Sequence, residues 1–277
     1  MRARDAASLR RQLSDRDLSI LEDLRAFRLL TARHLQRLHF PVPQLHQSVQ
    51  GASKATHRAL NRLESQRVIF PLTRRIGGAE RGSSGRLWQL TEHGIDVLQL
   101  GSETRPRRRI LEPASQLFLD HTVAVASLGV ELRLAAAAAN LEALKIDAEP
   151  ASWKHFMGNA GQPEHLRPDL YVVLADRSME QHSFIEVDLG TEHAAQLIKK
   201  CHVYARYDSL GAASRDLGVM PRVIWAAETE KRRSFIERTI SAQAKQLPDI
   251  FIVTTIADAP ALTAHGLTAD STTTTDL

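Results

Sequence analysis

Two short acidic segments in the second half of the chain carry the residue types that metal-dependent phosphate chemistry needs. Asp169 immediately precedes the apolar run 170–174. A second apolar run ends at Leu189, and Glu186 and Asp188 alternate with its last apolar residues. A polar turn separates the two runs, so we expect a hairpin that brings Asp169 and Glu186 to one edge of a sheet. Carboxylates placed in that way can hold a divalent cation against a phosphodiester.

The elements predicted around these carboxylates alternate between helices and strands. A long helix is predicted over 115–140, and strands follow near 145–148, 153–156, 170–174 and 184–189. A helix over 192–207, a strand at 222–226, a helix over 231–244 and a strand at 250–255 complete this module. The order is typical of an α/β sandwich with a mixed central sheet, in which an antiparallel meander leads into βαβ crossovers.

The carboxylates also have interpretations that do not lead to catalysis. Asp188 shares a face with Glu186 only if the strand between them stays regular, because side chains alternate along a strand. If Asp188 does point the same way, three carboxylates crowd one site that has no positive group for a transition state. Asp169 and Glu186 could instead only hydrogen-bond the ends of the sheet.

Charge is distributed unevenly along the chain. Residues 1–110 hold 21 Lys and Arg against 10 Asp and Glu, which is a balance of +11. Residues 111–277 hold 15 Lys and Arg against 22 Asp and Glu, which is a balance of −7. Such an asymmetry indicates that the first half contacts a polyanion, and the alternative is that both halves carry ordinary solvated surfaces.

The first half has the element order of a winged helix-turn-helix. A first amphipathic helix is capped by Ser14 or Asp15, and a second runs from Thr31 to His39. A third helix covers 53–63, strands are predicted at 68–75 and 85–90, and a last helix starts at the N-cap Thr91. Three helices followed by a hairpin with a polar tip are typical of this DNA-binding fold, although such folds also bind proteins.

The candidate DNA-binding residues lie on the third helix and around the hairpin. On the helix they are the polar residues Ser53, Lys54, Thr56, His57, Arg58 and Arg62. On the hairpin they are Arg74, Arg75 and Arg81. The helix is expected to reach base edges in the major groove, and the hairpin arginines to reach phosphate or the minor groove.

These patterns predict two domains. The DNA-binding domain is placed at 14–100 and the α/β domain at 115–257, with a basic linker over 101–114 and a disordered polar tail over 258–277. The single cysteine, Cys201, excludes an internal disulfide and a cysteine-based zinc site. The N-terminus leads into charged sequence and apolar runs are short, so a cytoplasmic protein without a membrane partner is expected.

The acidic motif resembles that of the PD-(D/E)xK nuclease superfamily. Pro168-Asp169, a gap of about one hairpin, and then Glu186-x-Asp188 follow its pattern. More narrowly, the chain resembles the plasmid replication-relaxation family over residues 15–255. The features that carry this resemblance are the winged helix, the helix start at 119–125, Arg167-Pro168-Asp169, and the segment 186–192 followed by Lys199 or Lys200 and Tyr204.

The resemblance implies a catalytic set and a metal ion. Asp169 and Glu186 would bind Mg²⁺ through oxygen, with the carbonyl of Val187 as a further ligand. Asp188 occupies the position at which the superfamily has a lysine that helps to position the attacking water. The resemblance therefore implies that Lys199 or Lys200, on the following helix, supplies the cation if its turn faces the sheet.

Three functions are consistent with these observations. The preferred one is a DNA-binding protein of a plasmid or integrative element that acts in replication, relaxation or conjugative mobilisation, with a nuclease-like domain altered in catalysis. The second is an active Mg²⁺-dependent DNA-nicking endonuclease, and the third is a winged-helix transcriptional regulator. Candidate partners are double-stranded DNA, a relaxase or another mobilisation protein, and a second copy of the chain.

Overall fold

The computed structural model describes residues 2–72, 86–100 and 115–268, and it divides into two units. The first unit is Met1–Ser127 and the second is Leu128–Leu277. The predicted linker at 101–114 and the hairpin arginines Arg74, Arg75 and Arg81 lie outside the described residues.

The first unit contains six helices or parts of helices and three short strands within the described ranges. In chain order these are α1 (Arg2–Gln12), α2 (Asp15–Phe27), β1 (Leu30–Thr31), α3 (Ala32–His39), α4 (Val49–Ser65), β2 (Ile69–Leu72), β3 (Leu87–Leu90), α5 (Glu92–Leu98) and the first half of α6 (Gln116–Ala138). The strands form an antiparallel sheet in the order β1-β3-β2. Three helices, α2 to α4, therefore precede the hairpin β2–β3, as the sequence predicts.

Local capping signals account for where the helices of this unit begin. Ser14 caps α2 and exchanges hydrogen bonds with Asp17 in a capping box, while Thr31 caps α3 and Thr91 caps α5. The N-caps Ser14 and Thr91 confirm two predicted helix starts, and α3 begins one residue after the predicted Thr31. α4 begins earlier than the predicted residue 53, because the hydroxyl of Ser48 accepts a hydrogen bond from the backbone N–H of Gly51.

Two elements of this unit are absent from the sequence prediction. One is α1, and the other is β1, whose two residues were expected to begin the second helix. Leu30 pairs instead with Trp88 of β3, and Thr31 with Leu87. The sequence could not show this pairing because the partner strand is more than fifty residues away.

The boundary between the units falls within α6 and not in the predicted linker. Residues 115–127, which the sequence assigned to the second domain, belong to the first unit. Leu119 lies in a buried cluster with Leu29 and Leu87, and the hydroxyl of Ser127 lies 3.1 Å from Nε2 of His34. These contacts explain why the start of the helix belongs with the first unit.

The second unit is built on a mixed five-stranded sheet. After the rest of α6 come β4 (Glu142–Ala148), β5 (Lys154–Met157), β6 (Pro163–Leu166), β7 (Leu170–Ala175), β8 (Glu180–Asp188), α7 (Ala194–Ser209), α8 (Ala212–Leu217), β9 (Arg222–Ala227), α9 (Glu230–Ser241), β10 (Phe251–Thr255) and α10 (Ala259–Thr268). The strand order is β10-β9-β8-β7-β4, antiparallel from β4 through β7 to β8 and parallel from β8 through β9 to β10. The mixed α/β architecture predicted from the sequence is confirmed.

One face of this sheet packs against α7 and α9. Aromatic side chains fill the interface and are almost fully buried: Tyr171, Phe184, Tyr204, Tyr207 and Trp225. Phe184, Glu186 and Asp188 occupy alternate positions of β8, so all three point towards this helical layer. The candidate site therefore lies beneath helices and not on an open edge.

The structure differs from the sequence prediction at the C-terminal end. The segment 258–277 was expected to be disordered, but Ala259–Thr268 forms the helix α10, which packs against β8. Ala259 and Thr263 are fully buried, and the carbonyl of Thr263 accepts a hydrogen bond from the side chain of Gln181. Tertiary burial stabilises a segment whose threonine-rich continuation suggested disorder, and residues 269–277 lie outside the described ranges.

Within the described ranges, α6 is the one helix long and apolar enough to cross a membrane by length and composition. The short apolar runs of the sequence predict no helix of this kind. A buried helix of a globular core meets the same criterion, and 44% of the most apolar window of α6 is buried.

Candidate functional site

The register of the β7–β8 hairpin brings Asp169 and Glu186 together. Leu170, the first residue of β7, pairs with Ile185 of β8, so Asp169 lies beside the position of Glu186. Oδ2 of Asp169 accepts a hydrogen bond of 2.7 Å from the backbone N–H of Val187. Both carboxylates are buried, with relative exposures of 4% and 2%. The structure therefore shows the juxtaposition that the two apolar runs predict.

Glu186 is bonded through both of its oxygens to side chains of α7. The hydroxyl of Tyr204 donates to Oε1 at 2.6 Å, and Nζ of Lys200 donates to Oε2 at 3.0 Å. Lys200 and Tyr204 are four residues apart, so they lie on the same face of α7. Lys200 also forms an ion pair of 2.6 Å with Glu192, and its Nζ lies 5.5 Å from the ring centroid of Trp225.

The structure distinguishes between the two candidate lysines. Lys200 reaches Glu186, whereas the adjacent Lys199 is exposed to solvent. Consecutive residues of a helix point about 100° apart, so only one of the pair can face the sheet. The prediction that one of these lysines supplies a cation now applies to Lys200 alone.

Burial controls the electrostatics of the acidic pair. Desolvation is the largest influence on the pKa of Glu186, the charge of Lys200 opposes it, and the smaller effect of Asp169 adds to it, so that the pKa is raised to about 7. Burial by itself lowers the pKa of Lys200, but the carboxylates of Glu186 and Glu192 raise it above its ordinary value. Desolvation and the nearby Glu186 also raise the pKa of Tyr204 well above that of a free tyrosine. At neutral pH Lys200 therefore keeps its positive charge, whereas the carboxyl group of Glu186 is close to its pKa.

Asp188 does not join Asp169 and Glu186, although it faces the same helical layer. Its two oxygens accept hydrogen bonds from Nε and Nη2 of Arg232 at 2.7 and 2.8 Å. Oδ1 also accepts one from the backbone N–H of Gly190 at 2.6 Å. Asp188 is 3% exposed, so a bidentate ion pair with Arg232 neutralises a buried charge. The sequence prediction of Asp188 as a member of the catalytic set receives no support from this geometry.

Arg232 is the residue of this site that sequence reasoning missed. A signal for it was present, because Thr229 caps α9 and Lys231-Arg232-Arg233 follow in the first turn of that helix. The parallel pairing of β8 with β9 sets Asp188 opposite Ala227, close to that first turn. A basic residue at the start of a helix after a parallel strand can thus reach an acid at the end of the neighbouring strand.

Asp169 and Glu186 are the two predicted metal ligands that the structure keeps together. Among the residues described, no group of three or more His, Cys, Asp or Glu side chains is arranged to hold a metal ion. Mg²⁺ often uses one or two protein carboxylates together with water and substrate phosphate, so the oxygen donors of this pair fit that ion. The ammonium of Lys200 already lies against one oxygen of Glu186, and a cation bound there would have to share or displace it.

The predicted DNA-binding helix, α4, presents part of the expected surface. Lys54, His57 and Arg58 are exposed and Ser53 is half-buried. Thr56 was predicted on this surface, but it is 1% exposed, and its hydroxyl donates to the carbonyl of Ala52. Thr56 therefore belongs to the packed face of α4, because it lies four residues after the buried Ala52 and four before the buried Leu60.

Arg62 and Arg58 differ in their partners. Nη2 of Arg62 donates to Oδ1 of Asp17 at 2.5 Å, and this bond ties α4 to the start of α2. Lys54 and Arg58 have no hydrogen-bond or ion-pair partner in the ranges 2–72, 86–100 and 115–268. Exposed cations without an intramolecular carboxylate are suited to an anionic ligand.

Comparison with protein families gives one finding. The family model described as replication-relaxation matches residues 21–223, which is more than half of the chain. No curated protein and no solved structure matches the chain significantly. The match begins in α2 and ends in β9, so it includes Asp169, Glu186 and Lys200 but not Arg232.

The ion pair between Asp188 and Arg232 predicts a large effect on stability. Replacing Arg232 with Ala leaves a carboxylate that is 3% exposed without its cation. Loss of one partner of a buried pair should lower the free energy of unfolding by about 3–5 kcal/mol, as measured by urea denaturation.

The adjacent Arg233 provides the matched control. It pairs with Glu230 and Glu237, both of which are exposed. Arg233→Ala should therefore cost much less stability than Arg232→Ala, because exposed ion pairs are screened by solvent. Equal losses for the two variants would contradict the structural importance of the Asp188 pair.

The raised pKa of Glu186 predicts a pH dependence of stability in metal-free buffer. The unfolded chain releases this proton near 4.5 and the folded chain near 7, so the folded state binds more protons between these values. The contribution of Glu186 to the free energy of unfolding is therefore fully present below about pH 4.5. It is lost as the pH rises through about 7, and the total loss is about 3 kcal/mol. Glu186→Gln should remove this component from denaturation curves measured between pH 4.5 and 8.

A suitable control is Glu142→Gln, because Glu142 is exposed on β4. This variant should keep the wild-type pH profile. A Glu186→Gln profile that parallels the wild type would show that Glu186 does not titrate in this range.

Proposed function

Because the chain belongs to the replication-relaxation family, we propose that it is a DNA-binding protein of a plasmid or integrative element. In this proposal it acts in replication, relaxation or conjugative mobilisation, and its C-terminal unit is a nuclease-like domain altered in catalysis. Family membership supports a role in replication or relaxation of such an element. The DNA-binding and nuclease-like parts of the proposal rest on the two units, each considered separately.

The first unit supports DNA binding by a winged helix-turn-helix. Helices α2, α3 and α4 precede a hairpin, and the sheet β1-β3-β2 includes a strand between α2 and α3. In such folds the third helix enters the major groove and the hairpin contacts the backbone or the minor groove. The observation that carries the proposal is the surface of α4, where Lys54, His57 and Arg58 are exposed and the two cations lack intramolecular carboxylates in the described part of the chain.

Charge complementarity strengthens this assignment. Residues 1–110 have a balance of +11, and the predicted hairpin arginines Arg74, Arg75 and Arg81 contribute three of these charges. Neutralising DNA phosphates releases condensed counterions, which favours binding independently of sequence. Ser53, Lys54 and His57 are then the candidates for contact with base edges.

The second unit supports a nuclease-like fold whose acidic site is satisfied internally. Asp169 bonds the backbone of Val187, Glu186 bonds Lys200 and Tyr204, and Asp188 pairs with Arg232. Asp188 stands at the position of the lysine in the PD-(D/E)xK pattern, and both of its oxygens are bonded to Arg232. A site in which every carboxylate has a partner from the same chain is suited to a structural role or to binding, which is why we propose altered catalysis.

One observation favours the alternative of an active Mg²⁺-dependent nicking endonuclease. Lys200 lies 3.0 Å from Glu186 and could supply the cation that Asp188 cannot. Asp169 and Glu186 would hold the ion, and the ion would stabilise charge on the phosphodiester and lower the pKa of water. Lys200 would then stabilise negative charge close to the same phosphate, while Tyr204 orients Glu186.

The remaining partners in the proposal follow from the family. A relaxase or another mobilisation protein would act with this chain on the same DNA, and a homodimer would match a DNA site with two half-sites. Both are proposals from family membership, as is a cytoplasmic location.

DNA binding can be tested by fluorescence anisotropy with a short mixed-sequence duplex. The wild-type protein should bind with an affinity that falls linearly with salt on logarithmic axes. The variant Lys54→Ala/Arg81→Ala should bind several-fold more weakly at low salt, and its slope should be less negative by about 0.9 for each lost phosphate contact.

Lys245→Ala is the control for loss of a positive charge elsewhere, because Lys245 is exposed in the second unit. It should bind like the wild type. Absence of duplex binding by the wild-type protein, or equal affinities for all three proteins, would remove DNA binding from the proposal.

Catalysis can be tested with supercoiled plasmid and Mg²⁺. Altered catalysis predicts that the wild-type protein nicks no more than Asp169→Asn and Glu186→Gln, which preserve the shape of the buried side chains. Nicking by the wild type that both variants lose would establish the endonuclease alternative. A Lys200→Gln variant would then test the cation, with Lys199→Gln as its exposed neighbour control.

A further inference from the structure

We propose that a pocket between the start of α2 and α4 binds a phosphate group of the DNA backbone. The proposal rests on the proposed DNA-binding function and gives it a specific contact. The pocket is a cavity of about 310 Å³ in the first unit. The polar and aromatic side chains that line it are Ser14, Arg16, Asp17, Phe40, Arg58 and Arg62.

The shape of the pocket follows from one stripe of α4. Ala55, Arg58, Ala59 and Arg62 occupy positions i, i+3, i+4 and i+7, so they line one face of the helix. The two alanines are too small to fill the space between the arginines, which leaves a depression with guanidinium groups around it. Lys54 and His57 lie outside this lining.

The charges around the pocket favour an anion. Three arginines line it against one carboxylate, that of Asp17. Asp17 is 1% exposed, and its oxygens bond Arg62 and both the hydroxyl and the backbone N–H of Ser14. Arg16 and Arg58 have no carboxylate partner among the residues that the structure describes. The site therefore retains positive charge after its internal ion pair is counted.

Two of the arginines are held in place before any ligand binds. The guanidinium carbon of Arg16 lies 4.9 Å from the centroid of the Phe40 ring, and Arg62 is bonded to Asp17 at 2.5 Å. Fixed guanidinium groups lose less conformational entropy on binding, and their planar donors match the oxygens of a phosphate. The N-terminal backbone of α2 is not needed as a donor, since the capping box already uses it.

The pocket changes the roles assigned to two residues. Arg58 and Arg62 were predicted to act with the rest of the α4 surface in reading bases. Their position in the pocket makes them positioning residues that hold the DNA backbone, because a phosphate contact carries no sequence information directly. Base reading is then left to Ser53, Lys54 and His57.

The experiment compares the salt dependence of duplex binding for the full-length wild type and for Arg16→Gln/Arg58→Gln. Glutamine keeps much of the side-chain length while removing both charges. The slope of log affinity against log salt should become less negative by about 0.9, because one phosphate is lost. The double variant should lose the same amount of affinity for two duplexes of unrelated sequence. Thermal melting checks that the double variant is folded.

Arg25→Gln is the control within α2, the helix that contains Arg16. Arg25 pairs with Glu22 and does not line the pocket. It lies nine residues after Arg16, which is about 13 Å along the axis and about half a turn away in direction. Its salt dependence should equal that of the wild type.

Three outcomes would overturn the pocket assignment while leaving DNA binding intact. The double variant could match Arg25→Gln, or it could lose affinity for only one of the two sequences, which would mean that these arginines read bases. In the third outcome, the salt dependence of duplex binding would be equal for the two proteins, while ³¹P NMR would show that inorganic phosphate binds the wild type but not the double variant. The pocket would then bind free phosphate and not the DNA backbone. Failure of the wild type to bind either duplex would instead overturn the proposed function.

Discussion

Burying the carboxylate of Glu186 beneath α7 removes its hydration, and the arrangement of the second unit around it compensates for that loss. Desolvation is the largest influence on this group and raises its pKa to about 7. Lys200 and Tyr204 supply donors to both oxygens from one face of α7, and Glu192 holds the ammonium from its other side. The packing of α7 on the sheet and the chemistry of the site thus depend on the same three contacts. A change in the angle of α7 would break them together.

The pair formed by Asp188 and Arg232 has a different effect on the same face of the sheet. It ties the end of β8 to the first turn of α9, and Nη2 of Arg232 also donates to the carbonyl of Glu192, just before α7. The chain between these points turns at Gly190, which has a φ of 85° that side chains with a Cβ adopt at a cost. Arg232 therefore connects both helices of this layer to the strand. The cation needed to neutralise Asp188 comes from α9, so Lys200 remains paired with Glu186.

The first unit separates positioning from reading along a single helix. One stripe of α4 forms the arginine-lined pocket with the start of α2, and Lys54 and His57 lie outside it. Thr56 lies on neither surface, because its burial stabilises the packing of α4 within the unit. In both units, then, the direction in which a helix faces decides which of its adjacent polar residues points into the protein and which points to solvent. Such sorting decides which cations are available to a ligand.

The sequence by itself determined the features that depend on neighbouring residues. These include the caps at Ser14 and Thr91, the hairpin that joins β7 to β8, and hence the meeting of Asp169 with Glu186. Each follows from side-chain periodicity or from a hydrogen bond that spans only a few residues.

Only the tertiary structure decided the choices that depend on distant segments. The selection of Lys200 over Lys199 depends on the rotation of α7, the removal of Asp188 from the site depends on α9, and the helix α10 depends on burial against β8. In each case the local pattern was compatible with more than one arrangement. The arrangement found is the one that pairs the buried charges and buries the apolar surface, and neither condition can be evaluated until strands and helices far apart in the chain are brought together.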